Sequence, residues 1–172
     1  AFATAGISSP ALFESIAAEA PAQMRRFNPQ ALANTAWAFA TAGISSPTLF
    51  EAIAAEAEKQ VQRFKPQSLS NTAWAFATAG ISSPRLFEAI AAEAQAQMRH
   101  FNPQNLANTA WAFATAGVSS QTWAFATAGI SSPALFEAIA VEARAQMRQF
   151  TPQNLANIAC VGLRDGRDFQ AA

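Results

Sequence analysis

The sequence contains few of the residues that build catalytic and metal sites. Among its 172 residues there is one cysteine, Cys160, and one histidine, His100. A single cysteine cannot form an intramolecular disulfide, and a single histidine without a second ligand-type residue nearby does not form a metal site. The sequence therefore predicts a protein of a reduced intracellular compartment that carries no metal and no other cofactor.

An excess of charge and long apolar runs are also absent. The formal net charge is +0 and the isoelectric point is about 6.8, so no global field favours a nucleic acid, an acidic substrate or an anionic membrane. The apolar runs are a few residues of alanine, tryptophan and phenylalanine, far short of the roughly 20 residues of a membrane helix. We expect a soluble protein without a membrane partner, in which any polyanion binding depends on local geometry.

The sequence patterns of common catalytic sites are not found either. There is no glycine-rich phosphate loop and no nucleophile elbow. Glu51 and Glu56, with their copies Glu88 and Glu93, are five residues apart on a predicted helix, too far around it to act as an acid/base pair. We predict that they are solubilising charges, that His100 is solvated and not catalytic, and that the protein is not an enzyme.

What the sequence does contain is an internal repeat. Gly6, Gly43, Gly80 and Gly117 are each 37 residues apart, within copies of AFATAGISSP or its variant AFATAGVSSQ. A constant period of this size is typical of stacked supersecondary units, each of which buries its apolar surface only against its neighbours. The repeat therefore defines the fold prediction.

Each repeat contains signals for two helices, here named helix A and helix B. In the unit 28–64, Asn28 as N-cap and Pro29 at the first helical position predict the start of helix A. Gly43, suited to a left-handed C-terminal position, predicts its end, so that helix A covers about 29–42.

Helix B is predicted to begin with Ser46 as N-cap and Pro47 at its first position, and to extend to about Arg63. One side of each helix is apolar at helical spacing. The predicted core residues are Leu49, Phe50, Ile53, Ala54, Ala57, Val61 and Phe64 on helix B, and Leu32, Ala36, Phe39 and Ala40 on helix A. The fold class predicted is all-α: an α-solenoid of stacked antiparallel helical hairpins with 37-residue repeats.

The other side of helix A carries a line of polar and aromatic side chains. In each copy a glutamine, an asparagine, a tryptophan and a threonine project within about 60° of one another. The residues are Gln30, Asn34, Trp37 and Thr41, then Gln67, Asn71, Trp74 and Thr78, then Gln104, Asn108, Trp111 and Thr115. Stacked repeats would align these residues, which we call the ladder.

Two departures from the repeat shape the predicted domain organisation. Gly129 follows Gly117 after only 12 residues, and the short stub Trp123–Ala128 between them predicts either an extra packed piece or a bend. After PQNLAN, the text IACVGLRDGRDFQAA predicts frayed helix or coil. The predicted array covers 1–157 and is followed by a divergent tail at 158–172. Its units are about 1–27, 28–64, 65–101 and 102–150, with a partial unit at 151–157. The unit 102–150 contains a truncated extra unit at 118–129.

The string Pro-Gln-x-Leu-x-Asn-x-Ala-Trp-Ala-x-Ala occurs at Pro29, Pro66 and Pro103. Together with the LF pair and the alanine-rich second helix, this text resembles the octotricopeptide and heptatricopeptide repeat families of organellar RNA-binding proteins, over about 2–157. The resemblance implies an α-solenoid that binds single-stranded RNA and governs its maturation, stability or translation in a plastid or mitochondrion.

The ladder has two interpretations. As an RNA-binding surface, its asparagines would bond to base edges and its indoles would stack on bases; as a structural feature, its tryptophans would wedge between repeats and its amides would bridge backbones. Arginines at the ends of helices B, such as Arg63, would either contact phosphates or complement the helix dipole. The alternative function is a protein-interaction solenoid that grips a protein partner with the same surface.

Overall fold

The computed structural model describes residues 10–119 and 132–164, which form eight α-helices and contain no strand. The helices are α1 (Pro10–Gln23), α2 (Pro29–Ala42), α3 (Pro47–Gln60), α4 (Pro66–Ala79), α5 (Pro84–Gln97), α6 (Pro103–Ser119), α7 (Pro133–Ala145) and α8 (Pro152–Arg164). A 3₁₀ turn follows each odd-numbered helix, at Met24–Arg26, Val61–Arg63, Met98–His100 and Met147–Gln149. Even-numbered helices are the predicted helices A, and odd-numbered helices are helices B.

The predicted ends of helix A are confirmed in α2. The Asn28 side chain accepts a hydrogen bond from the backbone N–H of Ala31 at 2.8 Å, which is an N-cap. Gly43 has φ 67° and ψ 22°, and the backbone N–H groups of Gly43 and Ile44 donate to carbonyls of the last turn at 3.2 and 3.1 Å. Because a side chain at such a positive φ is strained, glycine suits this position.

Helix B begins where it is predicted to begin, with Ser46 at the N-cap position and Pro47 at the first helical position. The Ser46 hydroxyl, however, makes no capping hydrogen bond. The start of α3 depends instead on Pro47 and on the backbone carbonyl of Ser46, which accepts from the N–H of Phe50 at 3.0 Å. At the other end the α-helix stops at Gln60, and the last predicted turn, through Arg63, is a 3₁₀ turn.

The helices lie in two layers. Each odd-numbered helix contacts the next odd-numbered helix, and each even-numbered helix contacts the next even-numbered one. Helix A is rich in alanine, which lets neighbouring helices approach closely. Since α5 contacts α7 and α6 contacts α8, the units on either side of 120–131 are direct neighbours; the predicted stub, Trp123–Ala128, lies outside the described residues.

The core lies between the two layers. Edge-to-face phenylalanine pairs join the helices B α1, α3 and α5 to the following helices A, with ring centroids 5.0 to 5.1 Å apart: Phe13 with Phe39, Phe50 with Phe76, and Phe87 with Phe113. Such pairs add about 0.5–1.5 kcal/mol to the burial of the rings. All the predicted core residues of the unit 28–64 are buried except Val61, which is half-buried.

Consecutive units are also joined by a repeated polar contact, which we call the glutamine clamp. The Nε2 atoms of Gln60, Gln97 and Gln146 donate to the backbone carbonyls of Phe27, Phe64 and Phe101 in the preceding unit, at 3.1, 2.9 and 2.8 Å. The same Nε2 atoms donate to the carboxylates of Glu56, Glu93 and Glu142 at 2.7, 2.6 and 2.8 Å. Each glutamate therefore orients the glutamine that reaches the neighbouring unit.

The clamp corrects the sequence-based role of Glu56. Its side chain is 9% exposed and bonded to Gln60, so it is not a solubilising charge, whereas Glu51 and Glu88 are exposed as predicted. The hydrogen bond from Gln60 lowers the pKa of Glu56, and Lys59, 3.2 Å away, adds to the lowering, while burial opposes it. The five-residue spacing of Glu51 and Glu56 does not by itself show that the Glu56 carboxylate faces the adjacent unit.

Two helices continue where the sequence predicts an end or a loss of order. α6 passes through Gly117 to Ser119, and α8 passes through Gly162 to Arg164. A single interior glycine costs about 1 kcal/mol, which is too little to end α8, and Ile158 packs its preceding turn against the core. None of the described helices has the length and apolar content needed to cross a membrane.

Candidate nucleic-acid interface

A cleft of about 500 Å³ lies at the N-terminal ends of α2 and α4. In an antiparallel hairpin the end of helix B leads directly to the start of the next helix A, so the 3₁₀ turns also reach this cleft. Its lining residues are Asn28, Pro29, Gln30, Asn34, Arg63, Lys65, Pro66, Gln67, Ser68, Asn71, His100 and Asn105. The lining thus combines amides, basic side chains and a hydroxyl.

Four ladder residues share the cleft. Gln30 and Asn34 lie on α2, and Gln67 and Asn71 lie at the same positions on α4. Residues four apart on a helix occupy one face, and the contact between α2 and α4 brings the two pairs together. Each amide offers both donors and acceptors to a ligand, so the four side chains could bond to the edges of bases.

Three basic residues of the cleft come from the ends of helices B and the start of α4. Arg63 and His100 are the last residues of two 3₁₀ turns, and Lys65 occupies the N-cap position of α4 without a capping hydrogen bond from its side chain. All three are exposed. No aspartate or glutamate is among the lining residues. The cleft is therefore locally basic although the chain carries no net charge.

Sequence reasoning singled out Arg63 as an alternative phosphate contact, but it missed Lys65. The sequence does single out Lys65, because this lysine occupies the repeat position at which the neighbouring units have the asparagines Asn28 and Asn102. His100 is solvated as predicted, and the fold adds that it reaches the same cleft as the amides.

Two further polar residues of the cleft are almost fully buried. Ser68 and Asn105 are 8% and 6% exposed, and both occupy the repeat position at which α2 has Ala31. The single proton of the Ser70 hydroxyl has two acceptors within reach, the Gln67 carbonyl oxygen at 3.1 Å on the same helix and Oδ1 of Asn105 at 3.3 Å on α6. Sequence reasoning did not identify these residues because it followed only the positions that are the same in every unit.

The tryptophans of the ladder lie apart from the cleft. Trp37, Trp74 and Trp111 are half-buried, and none of them is a lining residue. The rings of Trp74 and Trp111 are neighbours, with centroids 6.3 Å apart and planes inclined by 33°, and both rings pack against the core. This position fits the structural interpretation, in which the indoles join consecutive helices A.

The remaining ladder residues do not reach the cleft. Thr41, Thr78 and Gln104 are exposed, and Asn108 is half-buried. Thr115 is half-buried as well, and its hydroxyl oxygen is buried without a hydrogen-bond partner among the residues that the structure describes. The ladder is thus divided into the four amides of α2 and α4 at the cleft, the indoles of Trp74 and Trp111 against the core, and residues outside the cleft, which include the amides of α6.

Comparison with known proteins supplies a family. A family model described as RNA-editing substrate-binding complex 6 protein matches residues 1–124. The chain belongs to this family. Residues 132–158 match a second model, described as protein of unknown function (DUF1601), and no curated protein matches the chain.

The RNA-editing substrate-binding complex 6 family agrees with the coarser part of the sequence-based resemblance, since its name associates it with RNA. It is not the octotricopeptide or heptatricopeptide family, so the finer part of that resemblance is not supported. Both helices that form the cleft, α2 and α4, lie within the residues matched by the RNA-editing substrate-binding complex 6 model.

Proposed function

We propose that this protein binds single-stranded RNA through the cleft between α2 and α4, as a component of an RNA-editing substrate-binding complex. One observation carries the proposal: amides from two consecutive helices and three basic side chains line the same cleft. In single-stranded RNA recognition, amides bond to the exposed edges of bases while basic groups contact phosphates. The family match, whose name refers to an RNA-editing substrate, supports the same ligand.

The proposal extends to architecture and location. The two layers of helices and the repeated glutamine clamp support an α-solenoid with a 37-residue repeat, interrupted at 120–131. Of the two organelles implied by the resemblance, the family supports the mitochondrion and gives no support to the plastid. We propose that the protein binds its RNA without catalysing a reaction on it.

The basic side chains of the cleft offer RNA a local attraction that the net charge of the chain does not. A chain with a net charge of +0 has no long-range attraction for RNA, but Arg63, Lys65 and His100 concentrate basic groups within one cleft. Each phosphate contact to a single strand contributes about 0.7 to the slope of log affinity against log salt. A binding mode that uses two or three such contacts would weaken measurably between low and physiological salt.

The test is fluorescence anisotropy with labelled homopolymeric single strands, at low and at physiological salt. Changing Asn34 and Asn71 to alanine should weaken RNA binding about thirtyfold, since it removes two hydrogen bonds worth about 1 kcal/mol each. The matched control is Gln95→Ala, which removes an exposed amide from helix B outside the cleft. Unchanged RNA affinity in the double variant would refute the cleft as the binding site.

A protein partner is the second candidate, and the helix B layer favours it. Val141 on α7 is 66% exposed, and it stands where α3 and α5 have Ala55 and Ala92. A larger apolar side chain at this exposed position adds to the apolar surface that a protein partner could cover. An apolar protein interface would tolerate added salt, unlike phosphate contacts, and would persist in the Asn34 and Asn71 double variant.

A further inference from the structure

Three of the four helices A that the structure describes, α2, α4 and α6, differ from one another only at one end. From Asn34, Asn71 and Asn108 onward, α2, α4 and α6 share the same ten residues, NTAWAFATAG. Their first five residues read PQALA, PQSLS and PQNLA, and the three residues before each helix read RFN, RFK and HFN. All variation among these three segments therefore falls at the end of the helix where the cleft lies.

Half of the cleft is built from these variable positions. The lining residues at variable positions are Asn28, Arg63, Lys65, Ser68, His100 and Asn105. The other six lining residues, two prolines and the four ladder amides, are the same in each unit. Every unit thus presents a constant set of amides next to a set of side chains that is its own.

The burial of two variable residues argues against random change on an open surface. Ser68 and Asn105, which differ, are 8% and 6% exposed, whereas the ladder residues Gln30, Gln67 and Thr78, which do not differ from their copies, are exposed. Random substitution accumulates most readily at exposed positions, because buried ones are constrained by packing. Four of the six variable lining residues, Asn28, Arg63, Lys65 and His100, are exposed and follow this rule. Ser68 and Asn105 do not follow it, which indicates that the variation at their buried position has a function.

The side chains at this position differ in hydrogen-bonding capacity. Ala31 offers none, the Ser68 hydroxyl donates or accepts, and Asn105 has an amide. Oδ1 of Asn105 lies 3.3 Å from the Ser70 hydroxyl, which also lies 3.1 Å from the Gln67 carbonyl oxygen, and the NH₂ group of Asn105 is the part left for a ligand. An NH₂ group selects a base that presents an acceptor, while a hydroxyl accommodates either kind of edge, so neighbouring units have different preferences.

We infer that the side chains at the positions of Ser68 and Asn105, together with Lys65 before α4, determine which base each unit accepts. This inference rests on the proposed RNA binding and assigns its specificity. Because each ladder amide offers both donors and acceptors, the constant glutamines and asparagines can bond to any base edge and hold the RNA whatever its sequence. Consequently the preferred RNA is not a homopolymer, although the ladder is the same in every unit.

The test converts one unit into its neighbour. Changing Arg63 to His, Lys65 to Asn, Ser68 to Asn and Ser70 to Ala gives α4 the same start as α6, and each new residue already occurs at the equivalent position of this fold. A second variant, Ser68→Asn with Ser70→Ala, keeps the basic residues. Circular dichroism during thermal unfolding establishes that both variants fold, and selection from a randomised pool of short single-stranded RNAs gives the preferred sequence of each protein.

The expected result is a change of about fivefold in base preference at one position of the selected RNA, which is the effect of one gained or lost hydrogen bond. Asn71→Ala serves as the comparison, because it should weaken the binding of every sequence without altering the preference. Selected sequences that are the same for both variants and the wild type would overturn the inference. Wild-type binding without any base preference would overturn it too but leave RNA binding intact, whereas no RNA binding by the wild type would remove the proposed function itself.

Discussion

Gln97 reaches from α5 to the preceding unit, where its Nε2 atom donates a hydrogen bond to the backbone carbonyl of Phe64 at 2.9 Å. Phe64 is 2% exposed, so its carbonyl has little access to water and needs a protein donor. Glu93 holds the same Nε2 atom from the other side at 2.6 Å. The contact between the two units therefore depends on a single side chain that is fixed by a second.

Replacing Gln97 with alanine should destabilise the protein by about 1–2 kcal/mol, because a buried carbonyl loses its donor. The measurement is the urea midpoint of unfolding, followed by circular dichroism. Gln62→Ala is the matched control, since Gln62 is an exposed residue of the same type. Equal midpoints for the two variants would contradict a stabilising role for the clamp.

Stability should fall in acid through Glu56. Its pKa in the folded protein is lower than the ordinary value of 4.5, chiefly because Gln60 donates to the charged form. The unfolded chain then binds protons more readily, so this contribution is complete above 4.5 and is lost as the pH falls through the lowered pKa. Urea unfolding from about pH 6 to about pH 3 should show a steeper loss in the wild type than in Glu56→Gln; parallel pH profiles would disprove this.

Replacing Trp74 with phenylalanine separates the two interpretations of the indoles. The Trp74–Trp111 ring pair predicts a loss of stability of about 1 kcal/mol. RNA affinity should stay within about twofold of the wild type, since Trp74 does not line the cleft. Anisotropy and urea unfolding of the same preparation test both statements. A large loss of RNA affinity at unchanged stability would mean that the indole stacks on a base instead.

Replacing both Arg63 and Lys65 with glutamine should lower the slope of log RNA affinity against log salt by about 1.4, the value for two phosphate contacts to a single strand. Arg85→Gln also removes a positive charge, but Arg85 lies at the start of α5, outside the cleft. Anisotropy titrations at several salt concentrations give the slopes. If the Arg85 variant lost as much slope as the double variant, general charge rather than the cleft would bind the RNA.

The helices could be predicted closely because their signals are local. Asn28, Pro29 and Gly43 define α2 within their own few residues, and the structure confirms both ends. The apolar stripes could be predicted equally well, since helical spacing alone decides which residues share a face. The 3₁₀ turn that ends at Arg63 could not be predicted, because it has the same composition as a final α-helical turn.

The candidate site was only partly predictable, because it combines segments from different units. The amides of α2 and α4 stood out as repeated residues, but the burial of Ser68 depends on how α4 packs against its neighbours. The role of Glu56 was predicted wrongly for the same reason. Glu56 accepts a hydrogen bond from Gln60, four residues away on the same helix, and Gln60 also donates to the backbone carbonyl of Phe27 in the preceding unit.

The glutamine clamp also shows how the chain accommodates irregular length. Donor and acceptor are 33 residues apart for Gln60 and for Gln97, but 45 apart for Gln146. The contact forms at 2.8 Å all the same, and closing a connection lengthened by this much costs well under about 1 kcal/mol of entropy. Consecutive hairpins therefore make the same contact at either separation along the chain. During evolution, whole hairpins can therefore be added, or the connections between them lengthened, while the helices of the neighbouring units keep their relative positions.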